Sequence, residues 1–153
     1  MLIRYVLAFV LTVGLASASL AAGTSSSSTP PKPSKLVDAE KAIKSGDYDR
    51  AIGLLQKVVA SDSQNADAWN YIGFSHRNLK RFDQAHGAYQ KALAINPEHL
   101  GANEYLGELY LQTGDLAKAK ERLDKLDDVC LLGCDEFDDL KQAIKAYEAK
   151  SPG

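Results

Sequence analysis

Cysteine is the residue type in this chain best suited to chemistry, and the sequence contains two, Cys130 and Cys134. Two thiols at this spacing can form a disulfide, act as a dithiol redox centre, or bind a soft metal such as Cu(I) or Zn(II). Acidic neighbours such as Asp128 and Asp135 disfavour a negatively charged, reactive thiolate. Gly133 allows the chain to fold back between the thiols. We therefore expect a structural disulfide, with thiol redox or soft-metal binding as the alternative.

The remaining polar residues do not form a catalytic pattern. His76, His86 and His99 share no helical i, i+4 spacing, so we expect no zinc site built from protein ligands. The sequence also lacks a Ser/His/Asp set, a nucleotide-binding loop and paired inward carboxylates. With 18 basic and 20 acidic residues, the formal net charge is −2, which does not favour a nucleic-acid partner. We expect no enzymatic activity and no cofactor.

The first residues have the order of a targeting segment. Arg4 precedes an apolar run, Tyr5–Leu15, and small residues follow over 16–22. This order is typical of a secretory signal peptide, predicted to be 1–22, so we expect an exported, periplasmic protein with no membrane span after cleavage. Serine and proline then dominate 23–35, which indicates a flexible linker.

A 34-residue repeat runs through the rest of the chain. Shifting the sequence by 34 residues superposes Ala51–Val59 on Ala85–Leu93. Each unit has two segments of about 12 to 14 residues in which apolar residues recur at helical spacing, separated by a short polar or Gly-containing break. This pattern predicts three helical hairpins, in units 32–65, 66–99 and 100–133.

Small residues recur at matching places in these units, where two helices must approach closely. They are Gly73, Ala85, Ala92, Gly107 and Ala119. A larger side chain at such a position would push the helices apart.

The middle unit carries the residues of a known repeat pattern. Trp69, Ile72, Gly73, Ala85, Tyr89, Ala92 and Pro97 resemble the tetratricopeptide-repeat pattern W-x2-L-G-x2-Y, A-x3-F-x2-A and P. His76 departs from it where the pattern has Tyr, and the third unit has Asn103 in place of the Trp. On this resemblance the chain is identified as a member of the tetratricopeptide-repeat family. Its end is similar to short exported bacterial members in which Cys-x3-Cys and an acidic segment follow the last repeat.

The resemblance implies an all-α fold over 36–150, a right-handed superhelical stack of about three hairpins plus a C-terminal capping helix at about 135–150. An apolar stripe on that helix would cover the open end of the stack. Its members are Phe137, Leu140, Ile144 and Tyr147.

The resemblance also implies a binding surface, because in such stacks the first helices line a concave groove and the second helices form the convex back. The implied groove residues are Asn70, Tyr71, Phe74, Arg77, Glu104, Tyr105, Glu108 and Gln112. Aromatic rings beside amide and charged groups suit a protein or peptide ligand, and Arg77 is expected to pair with a ligand carboxylate. Tyr71 and Tyr105 are equally expected as packing residues between helices.

These residues do not match every member of the family. The chaperone-binding members use Lys and Asn to clamp a terminal carboxylate, whereas those positions hold Asn70 and Phe74 here. That clamp is therefore not implied, and the acidic segment Asp135–Asp139 is a second candidate surface. We expect a non-catalytic protein-protein interaction scaffold of the bacterial cell envelope.

Overall fold

The computed structural model describes residues 34–150, and these residues contain helices and turns but no strand. The helices are α1 Ser34–Lys44, α2 Tyr48–Ser61, α3 Ala66–Asn78, α4 Phe82–Ile95, α5 Leu100–Gln112, α6 Leu116–Val129 and α7 Asp135–Lys150. The predicted signal peptide lies outside the described residues. So does the predicted linker, except that α1 begins at Ser34, just before the predicted linker end.

The 34-residue period of the sequence is a period of the structure. Helices α2, α4 and α6 begin at Tyr48, Phe82 and Leu116, and α3 and α5 begin at Ala66 and Leu100. Both series therefore advance by 34 residues. The predicted hairpins and the helix after them are confirmed.

The turn inside each hairpin reverses the chain at one residue in the left-handed region. This residue is Gly46, Lys80 or Gly114, with φ of 76°, 59° and 84°. At each turn, the following N–H donates to a carbonyl five residues back, as in Arg81 to His76 at 2.9 Å. These bonds satisfy carbonyls that the helix end would leave unpaired. The same turn is therefore built three times, twice with glycine.

The helices form two layers. The first helices, α1, α3, α5 and α7, contact one another in succession, whereas α2, α4 and α6 do not approach one another directly. Each second helix instead packs between two first helices. A stack in which one layer is close and the other is spread curves around the close layer. We call the α1, α3, α5 and α7 side the inner layer.

The predicted close contacts between helices are confirmed. Ala85, Ala92 and Ala119 are fully buried. A Cβ added to Gly73 would lie 2.5 Å from the ring of Tyr89, and one added to Gly107 would lie 2.6 Å from a methyl group of Leu140. Absence of a side chain at these glycines lets α4 pack closely against α3 and α7 pack closely against α5.

The capping helix buries the stripe predicted for it. Leu140 and Ile144 are buried, and Phe137 and Tyr147 pack against the same apolar cluster. An ion pair between Lys120 of α6 and Glu148, 2.6 Å long, lies at the exposed edge of this contact. Helix α7 therefore covers the last hairpin and extends the inner layer by one helix.

Candidate functional site

The eight residues predicted for the groove all come from α3 and α5, adjacent helices of the inner layer. Their exposure differs widely. Three are buried, namely Asn70, Arg77 and Glu104. Tyr71, Phe74, Tyr105 and Glu108 are half-buried, and Gln112 is exposed. The structure brings these positions onto two adjacent helices but commits some of them to contacts within the protein.

A chain of aromatic rings connects the inner-layer helices α3 and α5 with α2 and α4. Phe74 lies between Tyr48 and Tyr105, with ring-centroid separations of 6.2 and 5.0 Å. Tyr105 in turn lies 6.5 Å from the buried ring of Tyr89. Such tilted and edge-on pairs are the favoured arrangements of aromatic rings. Phe74 and Tyr105 thus pack against neighbours on one side and keep part of each ring accessible on the other.

Arg77 links the two helices at this patch. Its Nη1 lies 2.5 Å from Oε2 of Glu108, and its guanidinium carbon is 5.6 and 5.5 Å from the ring centroids of Phe74 and Tyr105. Pairing with a ligand carboxylate stays a prediction for Arg77. Its charge is already paired, because a buried cation without an internal partner would be costly.

The two tyrosines of this region have altered acidity. Burial, followed by the negative charges of Glu104 and Glu108, raises the pKa of Tyr105 to about 12 against the opposing effect of Arg77. Burial likewise raises the pKa of Tyr89 above its ordinary value. Both hydroxyls therefore stay protonated near neutral pH and can donate hydrogen bonds.

Glu104 differs from Glu108, one turn further along α5, in its burial and in its lack of an ion-pair partner among the described residues. It is only 7% exposed, and its carboxyl group makes no hydrogen bond or ion pair among residues 34–150. Burial, followed by the negative charges of Glu108, Asp139 and Glu136, raises its pKa to about 8 against the opposing effect of Arg77. This carboxyl group lacks a cation of its own.

The packing of α7 explains why acidic groups gather here. Leu140 fills the space beside Gly107, one turn after Glu104 on α5. Helix α7 packs beside α5, and the turn of α7 before Leu140 carries Glu136 and Asp139. These two acidic residues therefore lie toward Glu104. The sequence showed the acidity of this segment, but not that α7 would set it beside the groove.

Asn70 and Tyr71 lie nearer the start of α3 than Phe74 and Arg77 do. Asn70 is 4% exposed, and its Oδ1 atom has no hydrogen-bond partner among the described residues. Tyr71 packs against the first apolar cluster and also lines a cavity of about 230 Å³ with Glu40, Ile43 and Lys44. Tyr71 therefore serves in packing and also borders open space, so both of its predicted roles remain.

The cysteine pair lies between α6 and α7, away from these residues in the sequence. Its sulfur atoms are 2.05 Å apart, and the Cα atoms of Cys130 and Cys134 are 5.6 Å apart. Gly133, expected to let the chain fold back between the thiols, adopts a left-handed conformation with φ of 87°. The loop presents Leu131 and Leu132 to solvent, 86% and 102% exposed. Sequence reasoning did not single out these two leucines.

The histidines serve separate local contacts. Nδ1 of His99 accepts a hydrogen bond from the Ala102 amide at 3.2 Å and so caps α5, while its Nε2 lies 3.2 Å from Asp67. His86 lies 3.2 Å from the hydroxyl of Tyr110. Burial lowers the pKa of His76, and Arg81 adds to that effect. Within residues 34–150 no three His, Cys, Asp or Glu side chains converge in a way that could hold a metal ion.

A second cavity, of about 410 Å³, opens between α2, α3 and α4. Trp69, Ile72 and Val59 provide apolar walls. Lys91 lies over the Trp69 ring, with its Nζ 4.2 Å from the centroid. The amino group and the ring thereby cover each other in a cation–π contact. None of the helices within residues 34–150 combines the length and apolar character that crossing a bilayer requires.

Comparison with solved structures relates this arrangement to known proteins. The type III secretion translocator chaperone SycD of Yersinia enterocolitica, in complex with a peptide of the translocator YopD, has a TM-score of 0.66 and 19% identity. That match covers 76% of this chain and 92% of the other. The second tetratricopeptide domain of human RPAP3, in complex with an HSP70 peptide, has a TM-score of 0.65 and 20% identity, covering 73% and 92%. At these identities, the likeness shows a shared fold.

Sequence relatives agree with the structural ones. Tetratricopeptide repeat protein 37 of Xenopus laevis is 37% identical over 75 residues, which is 49% of this chain and 5% of that protein. Superkiller complex protein 3 of Mus musculus gives the same figures, so the chain spans only a small part of these relatives. The tetratricopeptide-repeat family model matches residues 42–86 and 76–129, more than half of the chain. The chain belongs to the tetratricopeptide-repeat family.

Proposed function

We propose that this protein is a non-catalytic scaffold that binds a protein or peptide on the inner layer, across α3 and α5. The observation that carries the proposal is the half-exposed aromatic pair Phe74 and Tyr105, 5.0 Å apart between ring centroids. Large, ordered rings provide contact area at little entropic cost, and they are enriched among residues that dominate binding energy. Glu108 and Gln112 add polar groups at the edge.

The comparisons support this proposal at the level of the fold. The tetratricopeptide repeat is generally a non-catalytic, protein-binding structure, and structures similar to this chain contain bound peptides of YopD and of HSP70. Repeat stacks of this kind act through their extended inner surface. The same geometry supports a peptide ligand across the inner layer.

We also propose that the protein is exported to the bacterial periplasm. The support is the order of residues 1–22, in which Arg4 precedes an apolar run and small residues. A disulfide between Cys130 and Cys134 would suit an oxidising compartment, where it would fix the turn into α7. No observation favours the alternative of thiol redox or soft-metal chemistry at this pair.

Site-specific photocrosslinking tests the binding surface. In the full chain, a benzophenone amino acid is introduced in place of Phe74, and in a second protein in place of Gln90, an exposed residue of α4. We expect crosslinks to one partner from position 74 and none to that partner from position 90. The reverse pattern would contradict binding on the inner layer. The intact mass of the partner-bound protein also shows whether residues 1–22 have been removed. Their removal would delete Arg4 and leave a net charge of about −3.

A further inference from the structure

We infer that the end of the inner layer formed by α5 and α7 binds a cationic side chain, lysine or arginine, of the bound peptide. Glu104 would be its direct partner, and the negative charges of Glu136 and Asp139 would add to the attraction. This inference rests on the proposed function, because it requires a peptide across α3 and α5. It specifies the chemistry that the groove selects.

The first argument is the state of Glu104. A carboxyl group buried without hydrogen bonds or a cation is costly in its charged form. Among residues 34–150 it has neither, although Glu108, one turn further, has Arg77 at 2.5 Å. Structural carboxylates in cores are normally satisfied within the protein. One left unpaired beside a proposed binding groove is therefore a group that a ligand can satisfy.

The second argument is the charge around this carboxyl group. The charged groups that act on it most strongly are Glu108 on its own helix, Glu136 and Asp139 on α7, and Arg77 on α3. Arg77 is the one cation among them, and it is paired with Glu108. The surroundings of Glu104 are therefore negative after internal pairing, which attracts a cation and disfavours an acidic peptide.

The third argument concerns the walls of this region. The ring of Tyr105 follows Glu104 on α5, and Phe74 lies against it with a centroid separation of 5.0 Å. Lysine and arginine bury their aliphatic stems along apolar surfaces while the charged group reaches a polar partner. Aromatic faces also attract cations directly. The aromatic pair and the carboxylates together fit both parts of such a side chain.

A metal ion is a poorer fit than a side chain. No group of three His, Cys, Asp or Glu side chains within the described residues has the convergence that a metal site requires. An organic cation needs less: one close carboxylate, a negative surrounding and an apolar wall. These three features are present around Glu104.

Peptide selection on the full chain tests this inference. Random 12-residue peptides displayed on phage are selected against the immobilised protein, and the selected sequences are synthesised with blocked termini. Each lysine is then replaced by norleucine and each arginine by citrulline, which keep the stem and remove the charge. Dissociation constants are measured by fluorescence anisotropy at pH 6 and pH 9, for wild type and for Glu104→Gln. We expect one basic position whose neutralisation weakens wild-type binding about tenfold.

Glu104→Gln distinguishes a neutral carboxyl group from a charged one, because glutamine resembles the protonated carboxyl group. If Glu104 is only a buried acid that stays neutral, this variant binds as well as wild type at both pH values. If Glu104 pairs with a ligand cation, the variant loses the preference for the basic residue. Wild-type affinity should also rise from pH 6 to pH 9, since pairing requires the charged carboxylate, whereas the variant should not change. Glu121→Gln, an exposed change on α6 with the same loss of charge, controls for long-range electrostatics.

The outcomes separate this inference from the proposed function. Peptides that lose affinity in Phe74→Ala but show no basic preference, or that bind Glu104→Gln equally well, overturn the inference and leave the binding surface intact. If the selected peptides bind Phe74→Ala as tightly as wild type, the proposed surface is wrong and the inference fails with it. Circular dichroism and thermal melting confirm that each variant is folded before its binding is compared.

Discussion

Glu104 and Glu108 lie one helical turn apart on α5 and have the same chemistry, but they occupy different regions of the inner layer. In the middle region, which we define as α3 and its contacts with α4 and α5, Glu108 meets the guanidinium group of Arg77 at 2.5 Å. In the C-terminal region, where α5 packs against α7, Glu104 meets the acidic start of α7, and its pKa is raised to about 8. The neighbouring helix, rather than the residue type, decides whether a carboxylate stabilises the fold or remains available to a ligand.

Gly73 and Gly107, which hold equivalent positions in successive repeats, show the same regional difference. Gly73 in the middle region contacts the ring of Tyr89, which is fully buried. Gly107, its equivalent one repeat later, contacts the methyl groups of Leu140 on α7. An aliphatic side chain can adopt another rotamer, whereas a packed ring has little freedom. The middle region is thus the more rigidly packed of the two.

Adding one methyl group at each glycine tests this difference. Alanine gains about 1 kcal/mol over glycine within a helix at either position, while overpacking costs about 1 to 3 kcal/mol. We expect Gly73→Ala to lose about 2 kcal/mol of unfolding free energy and Gly107→Ala to change little, because Leu140 can move. Urea unfolding followed by circular dichroism measures both. Equal losses would show that the two contacts are equally rigid.

The carboxylates differ in how stability depends on pH. The Glu104 pKa is about 8 in the folded protein, against an ordinary value of about 4.3 in the unfolded chain. Between these values the folded state holds a proton that the unfolded state has released, so the unfolding free energy falls as pH rises. Glu104→Gln cannot titrate. We expect it to match wild type at pH 5 and to melt several degrees higher at pH 9.

Glu108→Gln is the matched control for this measurement. It removes the same charge from the same helix but leaves Arg77 buried without its anion. We expect it to melt below wild type at both pH values, because a buried charge that loses its partner is destabilising. Parallel behaviour of the two variants would mean that net charge, rather than local pairing, governs stability here.

The sequence predicted the fold well because the fold is encoded locally and repeatedly. Apolar spacing and the 34-residue period specify each hairpin, and the small residues at Gly73 and Gly107 specify where helices meet. Asn103 shows the limit of pattern matching, since it stands where the family pattern has Trp. It is fully buried and donates to the carbonyls of Pro97 and His99, both at 3.1 Å. A hydrogen-bonded amide there takes the place of an aromatic ring.

The candidate site was predicted less completely because it depends on contacts between helices. Position in the repeat indicated that Arg77 and Glu104 face the groove side, but not that one finds Glu108 while the other finds Glu136 and Asp139. Those pairings depend on how α3, α5 and α7 lie beside one another, which no single repeat encodes. The groove assignment of all eight residues stays a prediction until a ligand is bound.

Substitutions in the hairpin turns should change the unfolding free energy least. These turns lie at the ends of the packed helices, so they extend the comparison beyond the helix contacts. Gly46 and Gly114 adopt positive φ in the first and third turns, and the middle turn places Lys80 at φ of 59°. A non-glycine residue in this conformation costs roughly 1 to 2 kcal/mol, while glycine costs about 0.5 to 1 kcal/mol of unfolded-state entropy. Lys80 is exposed, so its replacement removes little packing.

We therefore expect Lys80→Gly to raise the unfolding free energy by about 0.5 kcal/mol, and Gly114→Ala to lower it by about 1 kcal/mol because alanine resists positive φ. Urea titrations of both variants beside wild type, with equal m-values, measure the two changes. If Lys80→Gly instead lowers stability, the lysine side chain makes a contribution that the turn geometry does not account for. The turn at Lys80 would then be the one among the three hairpin turns that favours a side chain over glycine. The middle region would be stabilised at this turn as well as at the contact between Gly73 and Tyr89.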